Sequence, residues 1–176
     1  MGNPNIKIET QNLILIACDV QTLEIAIAGN QQLSQHIKAT VPDNWTEFGS
    51  RALKYALDKL KSGEDESGWW TYFPIHKSDN KLIGSCGYKG KPNENGEVEI
   101  GYEISNTYRN KGLATEISKA LVDNAFNFES VKSIQAHTLG EINPSTKVLL
   151  KSGFKKIDDI QDKENGTLWK WGITRT

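Results

Sequence analysis

The tightest constraint on this chain is a change of period within Val98–Phe128. Val98, Ile100, Tyr102 and Ile104 alternate with Glu97, Glu99, Gly101 and Glu103, as in a strand with one apolar face. From Gly112 the period turns helical. Leu113, Ile117, Ala120, Leu121, Ala125 and Phe128 form the buried stripe of an amphipathic helix. Strand and helix are joined through Arg109-Asn110-Lys111-Gly112-Leu113-Ala114. The first turn of a helix leaves backbone N–H groups without intrahelical acceptors, and with the helix dipole these make an anion site. Gly112 and Ala114 remove bulk where an anion must approach the backbone. Arg109 and Lys111 add positive charge, and Thr115 adds a hydroxyl donor.

The order Arg-x-x-Gly-x-Ala after an Ile-Gly-Tyr strand resembles the acetyl-CoA signature of the GNAT superfamily of N-acyltransferases, Gln/Arg-x-x-Gly-x-Gly/Ala. It is not a Walker P-loop, since Lys111 precedes its glycine, and it lacks the Gly-x-Gly-x-x-Gly of a dinucleotide fold. A second segment, Ile134–Phe154, is similar to the GNAT strand that leads through Asn and Ser into a Val-Leu-x-Lys-x-Gly-Phe helix end. Asn143, Ser145, Val148, Leu149, Lys151, Gly153 and Phe154 match. Asn143 and Ser145 stand two apart where many members have Asn-x-x-Ser, while the Ser-x-x-Val-Leu spacing is kept. Glu-Ile-Gly-Tyr, Ala-Thr-Glu and Ala-His-Thr resemble the branch of ribosomal-protein N-terminal acetyltransferases.

The resemblance covers essentially the whole chain and implies one domain over residues 1–176. The implied fold is α/β, an α+β mixed sheet with roughly seven strands and four helices and a splayed central strand. It also implies acetyl-CoA (coenzyme A) as cofactor and direct acetyl transfer to a primary amine, either a protein N-terminus or a small-molecule amine. Dimers are common in this branch, so a homodimer is the assembly it suggests. The other class is a non-catalytic acyl-CoA-binding or sensing protein on the same fold. The displaced Asn143 and the lack of a family-type catalytic tyrosine point that way.

Residue by residue, the resemblance places the coenzyme A pyrophosphate on Arg109, Asn110, Lys111, Gly112, Leu113, Ala114 and Thr115. The backbone from Tyr102 to Ile104 would bond the pantetheine arm. Asn143 would join it, or else be only a turn residue before Pro144. The Ser145 hydroxyl would lie near the thioester sulfur, or else cap a helix over Ser145–Ser152. Acetyl transfer needs a neutral amine, a polarised carbonyl and help for the leaving thiolate. Glu99 is the candidate proton acceptor and His137 a relay; both also read as ordinary sheet residues. Glu103 reads as a solvated or salt-bridged sheet residue and Glu116 as a partner of the helix dipole. Trp45, Trp69, Trp70, Tyr72 and Phe73 either line an acceptor pocket or pack the core, with Trp69 and Trp70 on opposite faces of a strand.

Other elements are expected as a strand over Ile8–Ala17, a helix capped by Asp19, and a loop with some helix over Asn30–Asn44. A helix started by Asp43 or Asn44 would bury Trp45, Phe48, Ala52, Tyr55 and Leu60 and stop at Ser62-Gly63, before an acidic turn over Glu64–Gly68. Strands follow over Trp69–Ile75, with Pro74 near a sheet edge, and over Lys81–Lys89. A strand over Val131–Leu139 and a hairpin of Phe154–Ile160 with Thr167–Thr174 complete the count. With 176 residues and a net charge of −1, the chain can bury a sizeable core and carries no electrostatic footprint for nucleic acid. No apolar run reaches the ~20 residues that span a bilayer, and Met1–Gln11 has no signal-type apolar stretch. Two lone cysteines fit a reducing cytoplasm, and three scattered histidines give no reason to expect a metal site. Between Asp19 and Glu66, eight acidic residues against five basic ones tilt the expectation toward a cationic acceptor.

Overall fold

In chain order, a computed structural model describing residues 7–62 and 68–176 contains β1 (Lys7–Glu9), β2 (Leu13–Ala17), α1 (Val20–Ala28), α2 (Asn30–Ile37) and α3 (Gly49–Lys61). Then come β3 (Thr71–His76), β4 (Lys81–Leu82), β5 (Gly84–Tyr88), β6 (Glu97–Ile104) and a short 3-10 turn over Asn106–Tyr108. The remainder is α4 (Leu113–Phe126), β7 (Ser133–Leu139), α5 (Pro144–Lys151), β8 (Lys155–Asp162) and β9 (Gly166–Thr174). The strands form one mixed sheet in the order β1-β2-β3-β5-β6-β7-β9-β8, with β4 beside β3. This is the mixed α+β class expected, with more elements among the described residues than the sequence suggested.

The additions have local causes. The run read over 8–17 is a hairpin, because the chain reverses at Thr10–Asn12 and Ile8 pairs with Leu15. The run over 81–89 breaks at Ile83, whose N–H bonds the Pro74 carbonyl at 3.1 Å. Pro74 therefore sits in an interior strand, between β2 and β4/β5, and not at an edge. Its missing N–H falls where β3 changes partner from β5 to β4. The helix α2 is the helical part of a stretch read as loop with some helix; it is polar, and Leu33 is its one fully buried side chain. Of the acidic turn, only Gly68 lies among the described residues, and Gly63 lies outside them.

The start of α3 also differs. Trp45 precedes the helix, its ring against Phe73 at 5.2 Å and its indole N–H donating to Asn30 Oδ1 at 3.1 Å. The buried residues of α3 are Leu53 and Ala56, whereas Phe48 and Tyr55 are 61% and 59% exposed. Docking is set by which face meets the sheet, and a stripe of aromatics does not by itself decide that.

Apolar side chains pack on both faces of the sheet. Val98, Ile100 and Ile104 of β6 face Leu113, Ile117 and Leu121 of α4. On the other face Leu23, Leu53, Trp70 and Phe73 gather under α1 and α3. Trp69 and Trp70 do fall on opposite faces. Cys18 and Cys86 are buried, which pushes both thiols up. No helix among the described residues is long and apolar enough to cross a membrane.

Glu116 proves more than a partner for the helix dipole. It accepts from Thr10 Oγ1 at 2.5 Å, Asn12 N at 2.7 Å and Asn12 Nδ2 at 2.9 Å, tying the β1–β2 turn to α4. Burial pushes its carboxyl up, but the Asn12 and Thr10 donors outweigh that and hold it below the usual range. A carboxyl lowered in the folded chain adds stability above its unfolded pKa of about 4.3, and the gain is lost as pH falls through the folded value. Glu116→Ala is expected to lower stability by about 1 kcal/mol at neutral pH. In urea denaturation the gap from wild type should close as pH drops below about 4.

Candidate active site

The turn before α4 is shaped by two left-handed residues, Asn110 (φ 60°) and Gly112 (φ 77°). The second stands at the helix N-cap, where no side chain bonds the first-turn amides. A Cβ at Gly112 would meet nothing within 4 Å, so the backbone conformation calls for glycine and the approach to the amides of Leu113, Ala114 and Thr115 is open. That is a cradle for a phosphate. The neighbouring cations are used differently from the expectation. Lys111 Nζ lies 5.0 Å from the Tyr108 ring centroid. Arg109 donates from Nε to the Ile104 carbonyl at 2.9 Å and from its guanidinium to Glu47 Oε1 at 2.9 Å. Arg109 thus ties the end of β6 to the segment ahead of α3.

The strand β6 pairs in parallel with β7 only from Glu97↔Ser133 to Glu99↔Gln135, while it pairs with β5 as far as Ile104↔Gly84. Lys89 N donates to the Glu99 carbonyl and Ser105 N to the Ile83 carbonyl, so odd-numbered residues spend their backbone groups on β5. The backbone groups of Ile100, Tyr102 and Ile104 then point toward β7, where pairing has ended. This is the splayed central strand, an open edge that an amide-containing chain such as pantetheine can bond. Split edge and amide cradle are in series along one chain, which suits coenzyme A.

Two polar clusters flank the split. On one face His137 Nδ1 lies 2.9 Å from Glu99 Oε1, and Lys89 Nζ bonds the same oxygen. When Nδ1 carries the proton, Nε2 is left as the basic nitrogen. On the other face the Tyr102 hydroxyl lies 3.2 Å from Ser145 Oγ. Burial pushes the Tyr102 phenol up, partly offset by the Ser145 bond, so the phenol holds its proton at neutral pH. Ser145 is not the cap of α5. Asn143 is, accepting from Thr146 N at 3.0 Å in a capping box whose return bond runs from Asn143 N to Thr146 Oγ1 at 3.1 Å. The alternative role weighed for Ser145 therefore belongs to its neighbour, and the Ser145 hydroxyl stays available to Tyr102.

Glu103 is neither solvated nor salt-bridged. Its buried carboxylate accepts from Thr46 Oγ1, from the amides of Glu47 and Phe48 at 3.1 and 3.2 Å, and from Ser85 Oγ at 3.1 Å. It holds the segment entering α3 against the sheet. Between that segment and β5–β6 lies a cleft of about 140 Å³ bordered by Phe48, Ala52, Leu53, Trp70, Lys89 and Gly101. Of the aromatics considered for an acceptor pocket, Trp70 alone borders it; Trp45, Trp69, Tyr72 and Phe73 are core. Sequence reasoning missed Lys89, the latch made by Glu103 and the Tyr102 hydroxyl. Each acts across strands, where no periodicity or motif records it.

The sequence profile of the acetyltransferase (GNAT) domain matches residues 13–155. The chain belongs to the GNAT acetyltransferase family. It is similar to the uncharacterised N-acetyltransferase YjdG of Bacillus subtilis (strain 168), 27% identical over 150 residues, or 85% of this chain and 89% of the relative. Among solved structures, the ribosomal L7/L12 alpha-N-protein acetyltransferase RimL, in complex with coenzyme A, superposes with a TM-score of 0.66 at 14% identity, covering 96% of this chain and 97% of that one. The microcin C7 self-immunity acetyltransferase MccE, in complex with acetyl-CoA and AMP, does so at 0.67 and 13% identity, over 94% of each chain. This GNAT protein is thus an acetyl-CoA-dependent acyltransferase.

A capping role makes a distinct prediction for Asn143. Asn143→Ala should cost about 1 kcal/mol of stability while coenzyme A affinity, read by calorimetry, changes less than about threefold. A loss of affinity larger than that would give Asn143 a direct part in the cofactor site.

Proposed function

We propose that this acetyltransferase moves the acetyl group directly onto a primary amine that enters from the cleft between α3 and β6. The observation carrying this reading is that Glu99–His137 and Tyr102–Ser145 flank the same split from its two faces. When bound, acetyl-CoA supplies the thioester, whose carbonyl carbon gains the amine and whose carbon–sulfur bond breaks. The amides of Leu113, Ala114 and Thr115 hold the pyrophosphate at the cradle opened by Gly112, with Arg109, Asn110 and Lys111 shaping its entry. The backbone groups of Tyr102 and Ile104 hold the pantetheine arm and fix the reacting carbon at the split. His137 Nε2, with Nδ1 oriented by Glu99, takes the proton of the amine. The proton needed by the departing sulfur comes from the Tyr102–Ser145 hydroxyl pair, for which a phenol that stays protonated is suited. The tyrosine whose absence favoured a binding-only protein thus has a counterpart in Tyr102, two residues beyond Ile100 on the central strand.

The test is calorimetric titration with acetyl-CoA followed by thiol release with a panel of primary amines. Wild type should bind and release thiol. Gly112→Glu should lose acetyl-CoA binding, by bulk and like charge at the cradle, with the fold retained in circular dichroism. Unchanged affinity would remove the cradle from the cofactor site. His137→Ala should lower kcat by about 10²- to 10⁴-fold with acetyl-CoA affinity intact. Tyr102→Phe and Ser145→Ala should each lower kcat more than affinity. Full activity in both would leave the hydroxyl pair with a packing role only.

A further inference from the structure

The acidic tilt of the segment from Asp19 to Glu66 suggested a cationic acceptor, but three of those charges are engaged elsewhere in the folded chain. Asp19 caps α1 through Thr22 N, Glu24 pairs with Lys61, and Glu47 pairs with Arg109. At the cleft itself, Glu103 is buried and takes four donors, and Glu99 is shared between Lys89 and His137. Lys89 borders the cleft and places a positive charge at its rim. A second or third ammonium group arriving there would find Glu103 and Glu99 already engaged and Lys89 holding the second of them. Desolvating it without a partner is unfavourable.

What the cleft offers instead is apolar surface. Phe48, Ala52 and Tyr55 stand four and three residues apart on one face of the α3 segment. Phe48 and Tyr55 are 61% and 59% exposed, and Tyr55 meets Trp70 edge-on at 5.9 Å between centroids. Phe48 borders the cleft, and an exposed aromatic ring beside a concave apolar site offers a surface for an apolar ligand group. The volume of about 140 Å³ is close to the roughly 150 Å³ of an apolar cavity that takes one benzene ring. Gly101 borders the cleft two residues from Glu99 on the same face of β6, so the amine of a group seated there can reach toward the Glu99–His137 pair.

We infer that the acceptor is a singly charged primary amine carried on one ring-sized apolar group, aromatic or branched aliphatic, and not a polyamine. This rests on the reading of the site as an amine acetyltransferase. Phe48, Ala52 and Trp70 embrace the apolar group and Lys89 repels additional positive charge. The same chemistry is presented by a free arylalkylamine and by a peptide with an aromatic first residue, and the test separates them.

Thiol release is measured with 2-phenylethylamine, a phenylalanine-led peptide amide and spermidine, on protein first shown by calorimetry to bind acetyl-CoA. One of the two aromatic acceptors is expected to exceed spermidine in kcat/KM by on the order of tenfold or more, and which of them does so names the source. Phe48→Ala, at an exposed position, should raise KM for that acceptor by on the order of tenfold without changing acetyl-CoA affinity. Spermidine used as well or better overturns the inference. So does transfer to neither aromatic acceptor by protein that binds acetyl-CoA, or an unchanged KM in the Phe48 variant. Absence of acetyl-CoA binding would instead remove the parent reading together with this one.

Discussion

Most of what this protein can do depends on β6 losing its neighbour. Parallel pairing with β7 lasts from Glu97 to Glu99, while antiparallel pairing with β5 continues to Ile104. A strand bonded on one side only leaves its other row of amides and carbonyls to be satisfied by something else. Here that row runs toward the amide cradle at Gly112. Groups on opposite faces, His137 on one and Ser145 on the other, lie beside this split. In an unbroken sheet, alternation would keep them apart.

The split is framed by polar ties. Arg109 binds the carbonyl at the end of β6 and reaches Glu47; Glu103, on the same strand, takes the amides of Glu47 and Phe48. The turn before α4 and the segment entering α3 are thereby anchored to one strand. A buried carboxylate is tolerable because its donors satisfy it, and removing them would leave it costly. Glu116 does the equivalent at the far side, fastening the β1–β2 turn to α4. Three glutamates that look alike in the sequence therefore do three kinds of work, with Glu99 orienting His137, Glu103 latching a loop and Glu116 bracing a helix.

Legibility in the sequence followed the range of the interactions. The strand with period two, the helix after Gly112 and the turn between them were readable, because alternation, helical spacing and a glycine needing positive φ are local properties. The two motifs carried the family. Less legible were α2, a polar helix held by Leu33, and the start of α3, displaced to Gly49 because Trp45 docks on Phe73. In the candidate site, Ser145 and Asn143 were both visible, but their roles as cap and hydroxyl partner were interchangeable until their distances to Thr146 and Tyr102 were known.

By itself, then, the sequence determined the central strand, turn and helix, and membership of an acetyl-CoA-using family. Each follows from residues within a few positions of one another, where backbone geometry and hydrophobic period act directly. Tertiary structure alone decided that β6 parts from β7, that His137 meets Glu99, and that Tyr102 meets Ser145. It also decided that Phe48, just ahead of α3, borders a cleft and lies outside the core. These are matters of register and of which face docks where, set by packing between segments far apart in the chain, as with Thr46 and Glu103, 57 residues apart. The acidic residues show the consequence most clearly. Their number was plain in the sequence, but the partners taken by Asp19, Glu24 and Glu47 came from the fold.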